Sequence, residues 1–116
     1  MPDRNNTKKE LIAQYKEREI IGGVFVIRNT LTDRILLSAT TDLHGSRNRF
    51  AFAQQTGSCI DMKLQGDWKK QGAGQFVFEV LEDLKKGDTQ TAKEFGADIE
   101  VLKGMWLENL SGRDFY

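Results

Sequence analysis

The stretch IIGGVFVIRNTLTDRILLSATTDL, residues 20–43, decides the fold. Its two ends, 20–28 and 34–40, are rich in β-branched and aromatic side chains. Such residues suit a pleated, half-buried surface better than a helix. Between them, Asn29 to Asp33 is short and polar. The two runs therefore read as strands of an antiparallel hairpin. Both are apolar on both faces, so the sheet they belong to should be covered from both sides.

Downstream of the hairpin, residues 42–55 read as a helix, with Asp42 or Ser46 as the capping residue. Phe50 and Ala53 fall on its inner face, and Thr56-Gly57 breaks it. Ser58 can cap a further helix to about Gln71, in which Ile60, Leu64 and Trp68 are spaced four apart. Gly72 and Gly74 end it. Residues 76–82 (FVFEVLE) read as a third strand with Phe76, Phe78 and Val80 on one face, and Lys85 to Asp88 as a turn. Thr91 and Glu94 have capping-box spacing, and Phe95, Ile99, Leu102, Trp106 and Leu110 then form a helical stripe. Upstream, Thr7 and Glu10 repeat that spacing before Leu11, Ile12 and Tyr15, which share one face of a helix over 7–18. The order α-β-β-α-α-β-α predicts an α+β domain: a three-stranded antiparallel sheet flanked by helices, with an extra N-terminal helix. Residues 1–19 form the helical extension and 20–116 the domain. Phe25, Leu36, Phe78, Leu81, Leu102 and Trp106 are expected to be largely buried.

Composition narrows the function classes. With 116 residues the chain suits one domain. No apolar run approaches the roughly 20 residues of a membrane span, and Met1 to Glu19 is too charged for a secretory signal. Cys59 stands alone, which rules out an internal disulfide and makes the cytoplasm the default location. One Cys and one His cannot supply the usual zinc ligand set. The formal net charge is zero, but residues 1–58 hold nine Lys/Arg against six Asp/Glu, and residues 59–116 hold eight against eleven. Any basic face for nucleic acid therefore belongs to the first half.

Single residues carry weak signals. His44 reads as a surface residue at a helix start, and Cys59 as a small buried side chain. Trp68 and Trp106 lie on apolar stripes and read as core. Arg47 and Arg49 follow a strand-to-helix turn, where guanidinium groups can hold phosphate. A solvated surface role is the alternative for both.

Taken together, the pattern resembles the GIY-YIG nuclease family over roughly residues 21–116. Gly23-Val24-Phe25 stands where the Gly-Ile-Tyr triplet would stand, and Leu36-Leu37-Ser38 where Tyr-Ile-Gly would stand. SATTDL at 38–43 resembles the continuation into the first core helix. KLQGDWKKQGAGQFVFEVLE at 63–82 resembles the family's helix, glycine turn and third strand, and MWLENL at 105–110 its last helix. Small bacterial proteins of this kind carry similar N-terminal extensions, and some are labelled transcriptional regulators.

The resemblance implies metal-dependent phosphodiester cleavage. In it, two motif tyrosines act on water and phosphate, a helix arginine stabilises the phosphate, and a glutamate on the last helix binds the metal. This sequence departs at those positions. Phe25 and Leu36 replace the two tyrosines, and Ser38 replaces the motif glycine. Arg49 or Arg47 corresponds to the arginine. Lys103 occupies the glutamate position, and an ammonium group offers no oxygen to a cation. Glu100, one turn earlier, is the remaining candidate for a displaced ligand. Three functions follow: a catalytically degenerate domain that binds DNA or another nucleic acid weakly, a protein-interaction or regulatory module, and an active endonuclease with rearranged ligands. Only the last calls for magnesium; the others call for no cofactor.

Overall fold

A computed structural model describes residues 19–116. The helix expected over 7–18, and with it the capping pair Thr7 and Glu10, lies outside the described residues. The elements in order are β1 (Ile21–Asn29), β2 (Ile35–Thr40), α1 (Leu43–Thr56), α2 (Gln65–Gln71), β3 (Phe76–Lys85) and α3 (Ala92–Asn109). Short 3-10 turns, Met62–Leu64 and Ala73–Gln75, flank α2. The sheet order is β2-β1-β3, antiparallel throughout, so the most apolar strand is the central one. This is the α+β architecture expected from the sequence.

Strand register divides the side chains between two faces. Phe25 lies opposite Ser38 and Val80, and Ile27 opposite Leu36 and Phe78. On that face α1 and α2 contribute Phe50, Ala53 and Trp68, and Leu64 joins them from the 3-10 turn. Trp68 is anchored twice: its ring meets Phe76 at 5.0 Å, and its indole N–H donates to the Gly57 carbonyl at 3.1 Å. On the other face Val24, Val26 and Ile35 are buried, and α3 supplies Phe95 and Ile99. Between Val24 and Phe25 the β1–β3 register slips by one residue, a β-bulge.

Local chemistry explains most boundaries. Asp42 caps α1 by accepting from the Gly45 amide at 3.0 Å. Ser46, the alternative cap, is instead buried one turn inside the helix. Gly57 ends α1 in the left-handed region at φ 78°, where glycine escapes the Cβ penalty. Thr91 and Glu94 form the predicted reciprocal capping box of α3. The Thr91 amide donating to Glu94 also holds that carboxyl below its ordinary range.

Three expectations are corrected. No helix starts at Ser58; the chain is irregular through Cys59 and bends at Ile60, Asp61 caps a 3-10 turn, and α2 begins only at Gln65. β3 continues to Lys85, past the expected end at 82, because β1 stays paired with it as far as Ile21. Phe78, Leu81, Leu102 and Trp106 are half-buried and not core. Phe78 packs against Phe25 and Phe50 on the α1 face of the sheet, with the Arg47 guanidinium over its ring. Trp106 keeps its indole N–H toward solvent and donates to Glu82 at 2.8 Å.

The C-terminal residues close the edge of the sheet. The Ile35 amide donates to Asp114, and the Tyr116 amide donates to Ile35. Tyr116 then ties three elements together. Its hydroxyl donates to Asp67 at 2.8 Å and accepts from Asn29, itself fully buried, at 2.9 Å. The Arg34 guanidinium lies 4.5 Å above its ring.

Burial raises the Tyr116 phenol above its ordinary value, and donation to Asp67 acts in the same direction. Folding therefore favours the protonated phenol. The stability it lends is present below the unfolded pKa near about 10 and is lost as pH rises through the higher folded value. Tyr116→Phe should cost about 1 kcal/mol near neutrality, since Asn29 and Asp67 lose a partner. Comparing urea midpoints of the two proteins should show that difference shrinking above about pH 10. A difference that grows with alkalinity would contradict the assignment.

Candidate functional site

The first helix crosses one face of the sheet and places its arginines there. Arg49 lines a cleft of about 250 Å³ together with Phe25, Leu36, Ser38, Ser46 and Asp61. The floor is apolar: Phe25 is 6 % and Leu36 8 % exposed. The hydroxyl groups of Ser38 and Ser46 interrupt it. Arg49 is exposed, and its guanidinium donates to Ser46 Oγ at 3.0 Å. The two residues are three apart on α1, so one turn of helix brings them together. A buried hydroxyl thus holds a cation that still has free donors.

Asp61 adds a carboxylate to the lining of the cleft. One of its oxygens already accepts from the Lys63 amide at 2.8 Å. Asp61 therefore both caps the turn into α2 and faces the cleft. Arg47, also exposed, sits elsewhere on the same face. Its guanidinium carbon lies 5.4 Å from the centroid of Phe78, which in turn stacks on Phe25 at 4.3 Å. The two arginines thus stand over neighbouring parts of one aromatic surface, and Arg49 is the one that lines the cleft.

Gly23 is explained by close approach. A Cβ there would overlap the Glu82 carbonyl oxygen and would stand 2.9 Å from Asp83 Cα and from Leu43 Cδ1. Two of those atoms are backbone of β3, which cannot give way cheaply. Glycine at this position lets β1 pass between β3 and the first turn of α1.

Lys103 does not join the cleft. It is half-buried on α3, which covers the opposite face of the sheet. Glu100, also on α3, is exposed and likewise absent from the cleft lining. Among the described residues no three His, Cys, Asp or Glu side chains gather as a metal-ligand set. His44 is exposed at the start of α1 and borders a separate groove with Ile20, Ile21 and Leu43. Cys59 is half-buried, with its sulfur 3.0 Å from the Asp61 carbonyl oxygen.

Sequence reading missed Ser46 and Asp61 as parts of the site. The spacing of Ser46 and Arg49 was visible. What hid it was the reading of Ser46 as a cap.

No protein-family model matches the sequence, and no curated protein does. Solved structures do match. The chain superimposes on the catalytic domain of homing endonuclease I-TevI with a TM-score of 0.54 and 21% identity, over 77% of this chain and 87% of that one. A mutant of the catalytic domain of intron endonuclease I-TevI gives a TM-score of 0.57 at 21% identity, over 78% and 84%. The chain has the GIY-YIG nuclease fold. The segments expected to stand at the two motif positions lie on adjacent strands. Phe25 on β1 and Leu36 on β2 share a face, and Arg49 reaches that face from α1. The described residues contain no helix long and apolar enough to cross a membrane.

Proposed function

We propose that this chain is a nucleic-acid-linked domain of the GIY-YIG fold that binds phosphate but does not cleave it. The observation that carries this reading is the arginine cleft. A guanidinium is held by a buried hydroxyl over a floor where Phe25 and Leu36 carry no hydroxyl. A fixed cationic donor suits a phosphate oxygen, and guanidinium geometry favours two-point contact. Chemistry on that phosphate would need a positioned water and a metal-bound oxygen, and neither Phe25 nor Leu36 can hold them.

Fluorescence anisotropy with labelled single- and double-stranded DNA tests the reading. Binding should be weak near physiological salt and should tighten as salt falls. Arg49→Ala should weaken it by about tenfold and flatten the logarithmic salt slope by about 0.9. Arg47→Ala should have a smaller effect, because that guanidinium is already engaged by the Phe78 ring. Binding that is absent at low salt would favour a protein-interaction module. Binding unaffected by Arg49→Ala would remove phosphate contact from the cleft.

A further inference from the structure

Arg49 and Asp61 line the same cleft, yet among the described residues they form no ion pair with each other. Arg49 donates to Ser46 Oγ and keeps the rest of its guanidinium for a ligand. Asp61 accepts from the Lys63 amide through Oδ1, and its Oδ2 has no hydrogen-bond partner among the described residues. The cleft thus offers a cation and an anion at once, each with unused hydrogen-bonding capacity.

Much of the remaining lining is apolar. Phe25 and Leu36 form the floor, and Ile60 lines the cleft while 38 % exposed. An isoleucine left that open gains from any apolar ligand surface laid against it. Ile60 directly precedes Asp61, so the apolar side chain and the carboxylate belong to one bend of the chain. A tyrosine at position 25 or 36 would put a hydroxyl on the floor; phenylalanine and leucine leave it apolar. Clefts that enclose a whole small molecule measure roughly 300–1,000 Å³, so one of about 250 Å³ accepts a single ring system and not a base pair.

Resting on the phosphate reading above, we propose that the cleft seats one unpaired nucleobase of a single strand, and that Asp61 selects bases with an exocyclic amino group. A nucleotide unit matches the lining group by group. Its phosphate meets Arg49. Its base lays apolar faces against Leu36 and Ile60. An amino group on the base edge, such as cytosine N4, donates to Asp61 Oδ2. Thymine presents a carbonyl oxygen at that place, which a carboxylate repels. A paired base cannot enter, because its edge is engaged and its stacked neighbours cover its faces. The ligand class is single-stranded nucleic acid carrying amino bases, of which cytosine is the smallest.

Fluorescence anisotropy at low salt, with the full chain and labelled strands of equal length, tests this. Oligodeoxycytidine should bind at least about tenfold more tightly than an abasic strand, whose phosphates are the same in number. It should bind at least about fivefold more tightly than oligothymidine. Asp61→Asn keeps an oxygen for the Lys63 amide, so the turn should hold. That variant should abolish the preference for cytosine over thymine without weakening the abasic strand. Ile60→Ser should weaken oligodeoxycytidine by about threefold and leave the abasic strand unchanged. Equal affinity for oligodeoxycytidine and the abasic strand overturns the base seat while leaving the phosphate contact of Arg49 in place. A cytosine preference that survives Asp61→Asn overturns the assignment to Asp61. Failure of every strand to bind at low salt overturns the phosphate reading itself, and this proposal with it.

Discussion

Trp68→Ala is expected to cost about 3–5 kcal/mol of folding stability. Trp68 is 4 % exposed and packs against both Phe50, at 6.3 Å, and Phe76, at 5.0 Å. Its removal leaves a cavity between the sheet and α2 that neighbouring rings cannot fill without shifting. The Gly57 carbonyl also loses its only side-chain donor among the described residues. For a domain whose total stability is of order 5–15 kcal/mol, that loss takes much of the margin. Trp68→Phe should cost less, because an aromatic ring stays in the site and only part of the indole's volume and its N–H are lost. Urea denaturation of both variants checks the order. An alanine variant within about 1 kcal/mol of the unmodified chain would show that α2 is not an integral part of the core.

The unmodified chain is expected not to cleave DNA with magnesium or manganese. Lys103 would place a positive charge where the fold's metal ligand is implied. At an effective dielectric near 20, two unit charges about 4 Å apart repel by roughly 4 kcal/mol, and a divalent ion roughly doubles that. The lysine can swing away, so the real penalty is smaller. Geometry adds a second obstacle. Because α3 covers the face opposite the arginine cleft, an α3 side chain would have to pass around an edge of the sheet to reach it. Lys103→Glu alone should therefore restore metal affinity at most. The triple change Phe25→Tyr, Leu36→Tyr, Lys103→Glu is the better rescue, since catalytic parts act as a unit. Incubating purified protein with single-stranded, double-stranded and branched DNA plus metal decides the matter. Robust cleavage by the unmodified chain, abolished by Arg49→Ala, would show that the ligands have moved.

The hairpin, the third strand and the last helix were legible because each carries a strong local signal. Residues 20–28 and 34–40 are dense in β-branched side chains, and Thr91 with Glu94 announces a helix start that both side chains then build. What failed to show were features decided at a distance. Ile60, Leu64 and Trp68 are spaced as a helix would space them, yet the chain from Ser58 to Asp61 is irregular and bends at Ile60. There the demand to seat Leu64 and Trp68 against the sheet outweighs local periodicity. Phe78 and Trp106 look like core in sequence, but each stands at the margin of the packed layers and uses its ring for a charged neighbour. In the cleft, Arg49 was legible as a residue type, whereas its support by Ser46 depends on the true start of α1. Asp61 was invisible because nothing in the sequence says that the turn before α2 folds toward the sheet.

The fastening of the C-terminal residues has a consequence for how the protein is made. Asn29 and Tyr116 are 87 residues apart, and the bridge between Ile35 and Phe115 spans nearly as far. The central hairpin can form while synthesis continues, because its strands are close in sequence. The outer edge of β2 at Ile35 cannot be covered until Tyr116 has cleared the ribosome. Contacts of such long separation also form late in folding, after loop closure has been achieved elsewhere. During translation the nascent domain therefore carries an open strand edge and a buried asparagine without its phenol partner. That interval is when an unpaired edge is most prone to join another chain. Slow elongation through the last helix would lengthen it.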